Sequence, residues 1–319
     1  MMMIRPAPLP DEIARGYLGR IMRLNGWATL EQALPTLKHW SCVRNPADPG
    51  ATPVDRLARV AGLTSDQFIQ QHSLIAYIRA FAPNPHGVAW LHGDARGYRF
   101  LRMLGLGCAR KSAHLCSQCV QEDLAFHGFS YWRRSHQLPG TYWCAKHGCA
   151  LHFFMNDGRL YQSPAHVLER CTCVDEEWVR ALRRNPWIRK ALDISGELAR
   201  GKESVDVNRF AQCVRGQAVA QGYGTVDSQV DVQAIFRALH AHFDERWLRK
   251  IMLHMEPSRF NPSGGQNLHS ALRGLRPSVP TIVYAVLMSL LYRSADDAIS
   301  AVHASHARQA QEARELAAS

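Results

Sequence analysis

No run of the sequence stays apolar for the roughly 20 residues that a bilayer crossing takes. The longest, Ile282 to Leu291, is about half that length and predicts a buried helix. The opening MMMIRPAPLPDE has too short an apolar run for a signal peptide, and Pro6, Pro8 and Pro10 would break the helix one needs, so export is not expected. No internal repeat at solenoid spacing appears. Acidic residues are in deficit, 27 against 38 basic, and the net charge of +11 favours polyanionic partners such as nucleic acids. What is present is ordinary: 46% hydrophobic and 20% charged residues over 319 positions predict a globular chain of two or three domains. The nine cysteines, an odd number in a chain expected to stay reduced, favour metal binding over disulfides.

The expected architecture is mainly α, with helix-turn-helix units in the N- and C-terminal parts flanking a central zinc-finger module of zinc-ribbon type. Three segments follow: 1–98, 99–175 and 176–319. In the first, Ile13, Tyr17, Leu18, Ile21 and Leu24 recur at helical spacing, with Asp11 and Glu12 at the N-terminal end and Gly26 past the other. Residues 42–53, rich in proline, read as a connector. In VDRLARVAGLTSDQFIQQHSLIAYIRAF, Leu57, Ala58 and Ala61 share a helical face, Gly62 permits a turn, and Thr64 or Ser65 can cap a second helix carrying Phe68, Ile69 and Ile75. Read as a DNA-binding pair, this offers Ser65, Gln67, Gln70 and Gln71 to a groove and Arg56 and Arg59 to phosphates. Read as a plain helical hairpin, it packs an all-α core. Residues 83–98 form the expected linker.

In the third segment, seven basic and two acidic residues fall between Arg180 and Lys202, either a solvated helix face or a phosphate-facing strip. FNPSGGQNLHSALRGLRPSVP reads as a loop-rich break. TIVYAVLMSLLYRSADDAISAV reads as a buried helix, a turn at Arg293–Ser294 and a further helix, a second helix-turn-helix candidate. The last fifteen residues read as a frayed helix.

The centre carries the chemistry. Cys116-x2-Cys119 is followed, 24 residues on, by Cys144-x2-His147. Each short pair can aim two donors at one tetrahedral ion, and thiolates with an imidazole select zinc. Four protein ligands leave no place for water, so the expected Zn2+ is structural. Between the pairs, FSYWRRSHQLPG places Phe129, Tyr131 and Trp132 beside Arg133 and Arg134. The aromatics serve as a small core or a stacking face, and the arginines as a solvated rim or as phosphate contacts. His136 is expected to make a core or interface hydrogen bond. Cys149, His152, Cys171 and Cys173 either form a second metal site or remain separate thiols, as Cys42, Cys108 and Cys213 are expected to do.

No enzymatic activity is expected. His127, His136 and Asp123 lie near the metal ligands, yet no carboxylate or His-Asn-His arrangement of a nuclease accompanies them, nor is there a three-carboxylate transposase site. GELARGKE mimics a phosphate loop, but Glu203 stands where the magnesium-binding hydroxyl belongs.

The RPAPLPDE start, the helix ending RIMRLNG, the stretch CSQCVQEDLAFHGFSYWRRSHQLPGTYWCAKHG and the late TIVYAVLMSLLYRS together resemble the TniQ/TnsD family of transposon target-selection proteins. The resemblance implies Cys116, Cys119, Cys144 and His147 as the first finger; its second finger departs from the family's paired cysteines. It also implies a bacterial, cytoplasmic, nucleoid-associated protein. Such a protein would bind double-stranded DNA or a DNA-bound RNA-guided effector complex, either alone or as a homodimer. It would recruit an AAA+ ATPase regulator and, through it, the transposase.

Overall fold

A computed structural model describes residues 3–44, 51–82, 112–155, 160–201, 204–224, 229–251, 266–274, 279–304 and 307. The chain is mainly helical and forms two compact units. Described residues up to Ala76, together with those from 112 to Val179, make the first; Tyr77–Ala82 and those from Arg180 onward make the second. The stretches read as 1–98 and 99–175 thus share the first unit, apart from residues 77–82.

The first unit begins with helices α1 (Ala14–Leu24), α2 (Leu30–Arg44), α3 (Pro53–Ala61) and α4 (Ser65–His72), followed by the single turn α5 (Ile75–Ile78), whose first two residues close this unit. Tyr17, Leu18 and Ile21 of α1 are buried with Leu37, Val54, Leu57, Phe68 and Ile69, the usual outcome when apolar residues recur at helical spacing. Leu24, expected on that face, is exposed instead. The connector begins later than its prolines suggested, because Cys42 to Arg44 end α2, a helix that Pro35 in its interior disguised.

The turn between α3 and α4 follows its sequence closely. Thr52 and Asp55 form a reciprocal capping box that starts α3, and Thr64 and Gln67 form another that starts α4. Gly62 ends α3 with φ 73°, a left-handed conformation that glycine adopts without strain. Ser65 does not cap; its hydroxyl reaches Asp55.

Asp11 and Glu12 lie outside α1, and helix charge does not explain them. Glu12 is fully buried and accepts from Arg20 Nε at 2.9 Å and Nη2 at 2.6 Å, a desolvated, bidentate pair. Asp11, at φ 59°, accepts from the Arg134 backbone at 2.7 Å and from the Ser135 N–H and hydroxyl at 3.1 and 2.5 Å. Glu12 bridges to Arg133, and Ile13 N–H donates to Trp132 O at 2.9 Å. The PDE segment and the WRRS segment are therefore partners.

The rest of this unit is a small antiparallel sheet, β2 (Ala113–Leu115), β3 (His152–Phe154) and β4 (Thr172–Cys173), with α6 (Ser117–His127), a 3-10 turn (Ser135–Gln137) and the short α7 (Pro164–Leu168). Residues 176–179 begin α8 (Glu176–Arg184).

In the second unit, β1 (Phe81–Ala82) pairs in parallel with β5 (Val205–Asp206), and Thr281 Oγ1 donates to Tyr77 O at 2.7 Å. Every residue of α14 (Thr281–Leu291) is buried, as its sequence predicts, and the apolar face of α9 (Pro186–Arg200) packs on it. Phe81, Phe210 and Tyr284 stack at its centre, with ring centroids 4.3 to 6.1 Å apart. Helices α10 (Val207–Ala220), α11 (Val232–His242), α12 (Glu245–Ile251) and α13 (Gln266–Arg273) complete it, with a last helix over 295–304 after the turn at Arg293–Ser294. The stretch read as a loop-rich break contains α13, whose buried Leu268, Ala271 and Leu272 sit between glycine- and proline-rich flanks. Gly196 to Arg200 of the apparent phosphate loop lie inside α9, so that segment cannot wrap a phosphate. The expected linker, 83–98, Cys108 and, apart from residue 307, the last fifteen residues lie outside the described residues, as does the side chain of Cys42. Among the described residues no helix is long and apolar enough to cross a membrane.

Candidate metal centre

The first donor pair is built by a helix start. Cys116 is the N-cap of α6, and its sulfur accepts from Cys119 N–H at 3.4 Å, so both thiols point the same way one turn apart. The second pair is built by a tight hairpin: Cys144 N–H donates to Cys149 O at 2.9 Å, Gly148 N–H donates to Cys144 O at 2.7 Å, and Trp143 bridges to Ala150. Behind both lies Leu151, fully buried.

The four donor atoms lie within 4.8 Å of one another, and among the described residues this is the one such cluster. His147 Nδ1 is 3.4 Å from the sulfurs of Cys116 and Cys119 and 3.5 Å from that of Cys144, while Cys119 and Cys144 sulfurs are 3.7 Å apart. A tetrahedron with metal–sulfur bonds near 2.3 Å and a metal–nitrogen bond near 2.05 Å has edges of about 3.6 Å (S to N) and about 3.8 Å (S to S). The donors fit a metal ion. A disulfide, at about 2.05 Å, does not describe these sulfurs.

Neighbours set the chemistry of the donors. His147 Nε2 bonds Glu122 Oε1 at 3.0 Å, and that bond pushes the imidazole up to about 9. Hydrogen bonds from Cys119 and Cys144 hold the Cys116 thiol far below the ordinary thiol range. Without metal, a proton on Nδ1 faces thiolate; a cation takes that proton's place. His136, buried as expected, hydrogen-bonds Cys144 and favours its thiolate. Glu122 and His136 thus orient and charge the donors from outside them, as supporting groups commonly do.

The other four candidate ligands are not gathered into a site. Cys149 joins the first cluster's edge, its sulfur 3.4 Å from that of Cys116. His152 stands opposite Cys173 in the β3–β4 register, Cys171 donates to Val167 O at 3.2 Å, and Cys173 donates to Val174 O at 3.3 Å. Burial raises the Cys171 thiol to about 11.

Arg133 and Arg134 are neither a solvated rim nor open to phosphate. Arg133 forms a bidentate pair with Asp123 at 2.9 and 2.8 Å, and also stacks over Tyr131. Arg134 reaches Asp11 and the carbonyl oxygens of Gln70 and Ser73 at the end of α4. Trp132 is a core residue whose Nε1 donates to Gln162 O at 2.7 Å; Phe129 and Tyr131 are half-buried around His127. Asp123 is tied to Arg133, and His136 to Cys144. On the helix pair, Arg56, Arg59, Ser65 and Gln70 are half-buried, and Gln67 and Gln71 are exposed. The exposed Phe126, at 85%, went unremarked in the sequence because it occupies an ordinary helical position.

A comparison with curated proteins finds no match. Residues 3–151, which hold all four clustered donors together with the PDE and WRRS partners, match the model of the TniQ family.

Proposed function

We propose that this chain is a non-enzymatic target-selection adaptor of DNA transposition, which engages a target and recruits an AAA+ ATPase regulator and, through it, the transposase. The TniQ match over the span that closes the Cys3His cluster carries the reading. Three thiolates and an imidazole suit Zn2+, and a tetrahedron filled by protein serves a structural role. Held by Cys116, Cys119, Cys144 and His147, zinc would supply rigidity: it fixes the hairpin against α6, while Arg134 and Asp11 carry that order to the α3–α4 pair. We read that pair, two capped helices turned at Gly62, as a helix-turn-helix that contacts DNA through Arg56, Arg59, Ser65, Gln67, Gln70 and Gln71.

One observation favours a second reading, in which the adaptor docks on an RNA-guided effector complex, alone or as a homodimer, and reads little DNA itself. The groups expected to face DNA are largely engaged internally: Ser65 with Asp55, Gln67 with the Thr64 backbone at 3.0 Å, and Arg133 and Arg134 as described above. The two readings separate when purified full chain is offered naked target duplex, effector subunits and the regulator in parallel. Direct reading predicts tight duplex binding whose affinity falls with salt at a slope of about −0.9 per phosphate contacted. Docking predicts capture by effector subunits with only weak duplex binding. A chain that captures neither target nor regulator sinks the adaptor altogether.

A further inference from the structure

The metal centre has five donors for four positions. Cys149 is the surplus one, and its place is specific. Its sulfur is 3.4 Å from Cys116 Sγ, closer than the 3.7 Å between Cys119 and Cys144. It is half-buried, whereas Cys116, Cys119 and Cys144 are each 1% exposed, so among these cysteines it is the one that a small solute in water meets first. The other four donors lie within 4.8 Å of one another, and Cys149 is not among them, meeting the group at the Cys116 sulfur. A fourth thiol packed against a ligand sulfur adds nothing to a filled tetrahedron. It does provide a partner with which that ligand can leave.

We propose that Cys149 and Cys116 form a redox-sensitive pair: a peroxide joins them in a disulfide, which withdraws Cys116 from the metal and leaves the ion three protein donors. This rests on the reading of the cluster as a zinc centre. The step balances with hydrogen peroxide as the oxidant. The sulfur of Cys149 attacks one peroxide oxygen; an S–O bond forms, the O–O bond breaks, and the departing hydroxide takes the thiol proton to become water. The Cys116 thiolate then attacks the sulfenic sulfur, an S–S bond forms, and hydroxide leaves. Two electrons pass from the two sulfurs to the peroxide, and the ion keeps three protein ligands.

The geometry requires the two sulfurs to close from 3.4 Å to about 2.05 Å. Cys149 lies in the same tight hairpin as Cys144 and His147, so the hairpin must shift toward the start of α6 as the bond forms. Oxidation therefore ties the hairpin to α6 through sulfur while leaving the metal one donor short, and reduction with zinc present restores the four-donor site. Such a pair would shut off the TniQ unit under peroxide stress without cleaving the chain.

The test treats full-length, zinc-loaded protein with hydrogen peroxide, follows released zinc with a chromophoric indicator, and maps disulfides by peptide mass spectrometry. Zinc content is measured first. The expected result is a Cys116–Cys149 linked peptide that accumulates with the released zinc and disappears on reduction. Cys149→Ser, which leaves all four clustered donors in place, should lose that peptide and release zinc several-fold more slowly; Cys171→Ser should behave as the unaltered chain. If Cys149→Ser releases zinc as fast as the unaltered protein, or if the crosslink joins other cysteines, the pair is not the switch, while the zinc centre stands. If no zinc is present before oxidation, the centre itself falls and this inference with it.

Discussion

Glu122 lies on α6, one turn past Cys119, and meets His147 from the far side of the centre. Its second bond, to Lys146 at 2.5 Å, joins two exposed side chains and contributes little. The contact with His147 is different, because it selects which nitrogen is left for the metal and aims the ring at it. Glu122→Ala should therefore lower zinc affinity by about 10–100-fold, with Glu122→Gln in between, as read by competition against a chromophoric chelator. Unchanged affinity in both variants would mean that the hairpin alone orients the ring. The four clustered donors were legible in the sequence because each pair is local: a helix start and a tight hairpin aim two side chains each, whatever the rest of the fold does. Glu122 and His136 were not, since their roles arise only when segments distant in sequence meet. The arginines of WRRS failed for the same reason. Beside aromatics in a basic chain they look like phosphate ligands, and only the tertiary structure supplies Asp123, Asp11 and the end of α4.

Among the elements, α1 is held closest to its surroundings. A Cβ on Gly19 would lie 2.3 Å from Tyr161 O and 2.6 Å from Tyr161 Cα, backbone atoms that no rotamer change can move aside. Arg23 Nη1 donates to the same carbonyl at 2.6 Å, and Arg15 stacks over the Tyr161 ring, so α1 is pinned along that contact. Gly19→Ala should destabilise the first unit by about 1–3 kcal/mol or more, as forced overpacking does, and lower its thermal midpoint. Gly216→Ala, with nothing within 4 Å of the new methyl on α10, should have the opposite sign, stabilising by about 0.5–1 kcal/mol. Equal midpoints for the two variants would contradict the close approach. Elements with strong local signals were legible: α1 by its periodicity, α3 and α4 by the Leu57, Ala58 and Ala61 face, Gly62 and a cap at Thr64, and α14 by its apolar run. Helix α2 was hidden by Pro35 and α13 by its flanks, where local breakers lie beside residues that tertiary packing keeps helical. The PDE–WRRS pairing has no local signature, because one segment supplies a left-handed aspartate and the other the donors that it needs.

For the whole molecule, the proposed DNA binding has two candidate sources. The charge of +11 attracts any polyanion, and the exposed Arg180, Arg184 and Arg189 on α8 and α9 belong to the second unit, away from the metal ligands in sequence. Zinc binding in finger peptides is worth about 10–16 kcal/mol, comparable to the whole stability of a domain, so chelation should melt the first unit's metal module. Binding of random duplex should then persist, because it depends on charge that chelation leaves in place, while capture of the specific target and of the regulator disappears. Arg180→Ala with Arg184→Ala should act in the reverse sense. It should flatten the plot of log affinity for random duplex against log salt by about 0.9 for each arginine that meets a phosphate, and leave metal content and regulator capture intact. Titrations between 50 and 200 mM salt, with and without chelator, measure both effects on the same protein. If chelation abolishes random-duplex binding as fully as target capture, the metal module itself holds the DNA, and the division of labour drawn here is wrong.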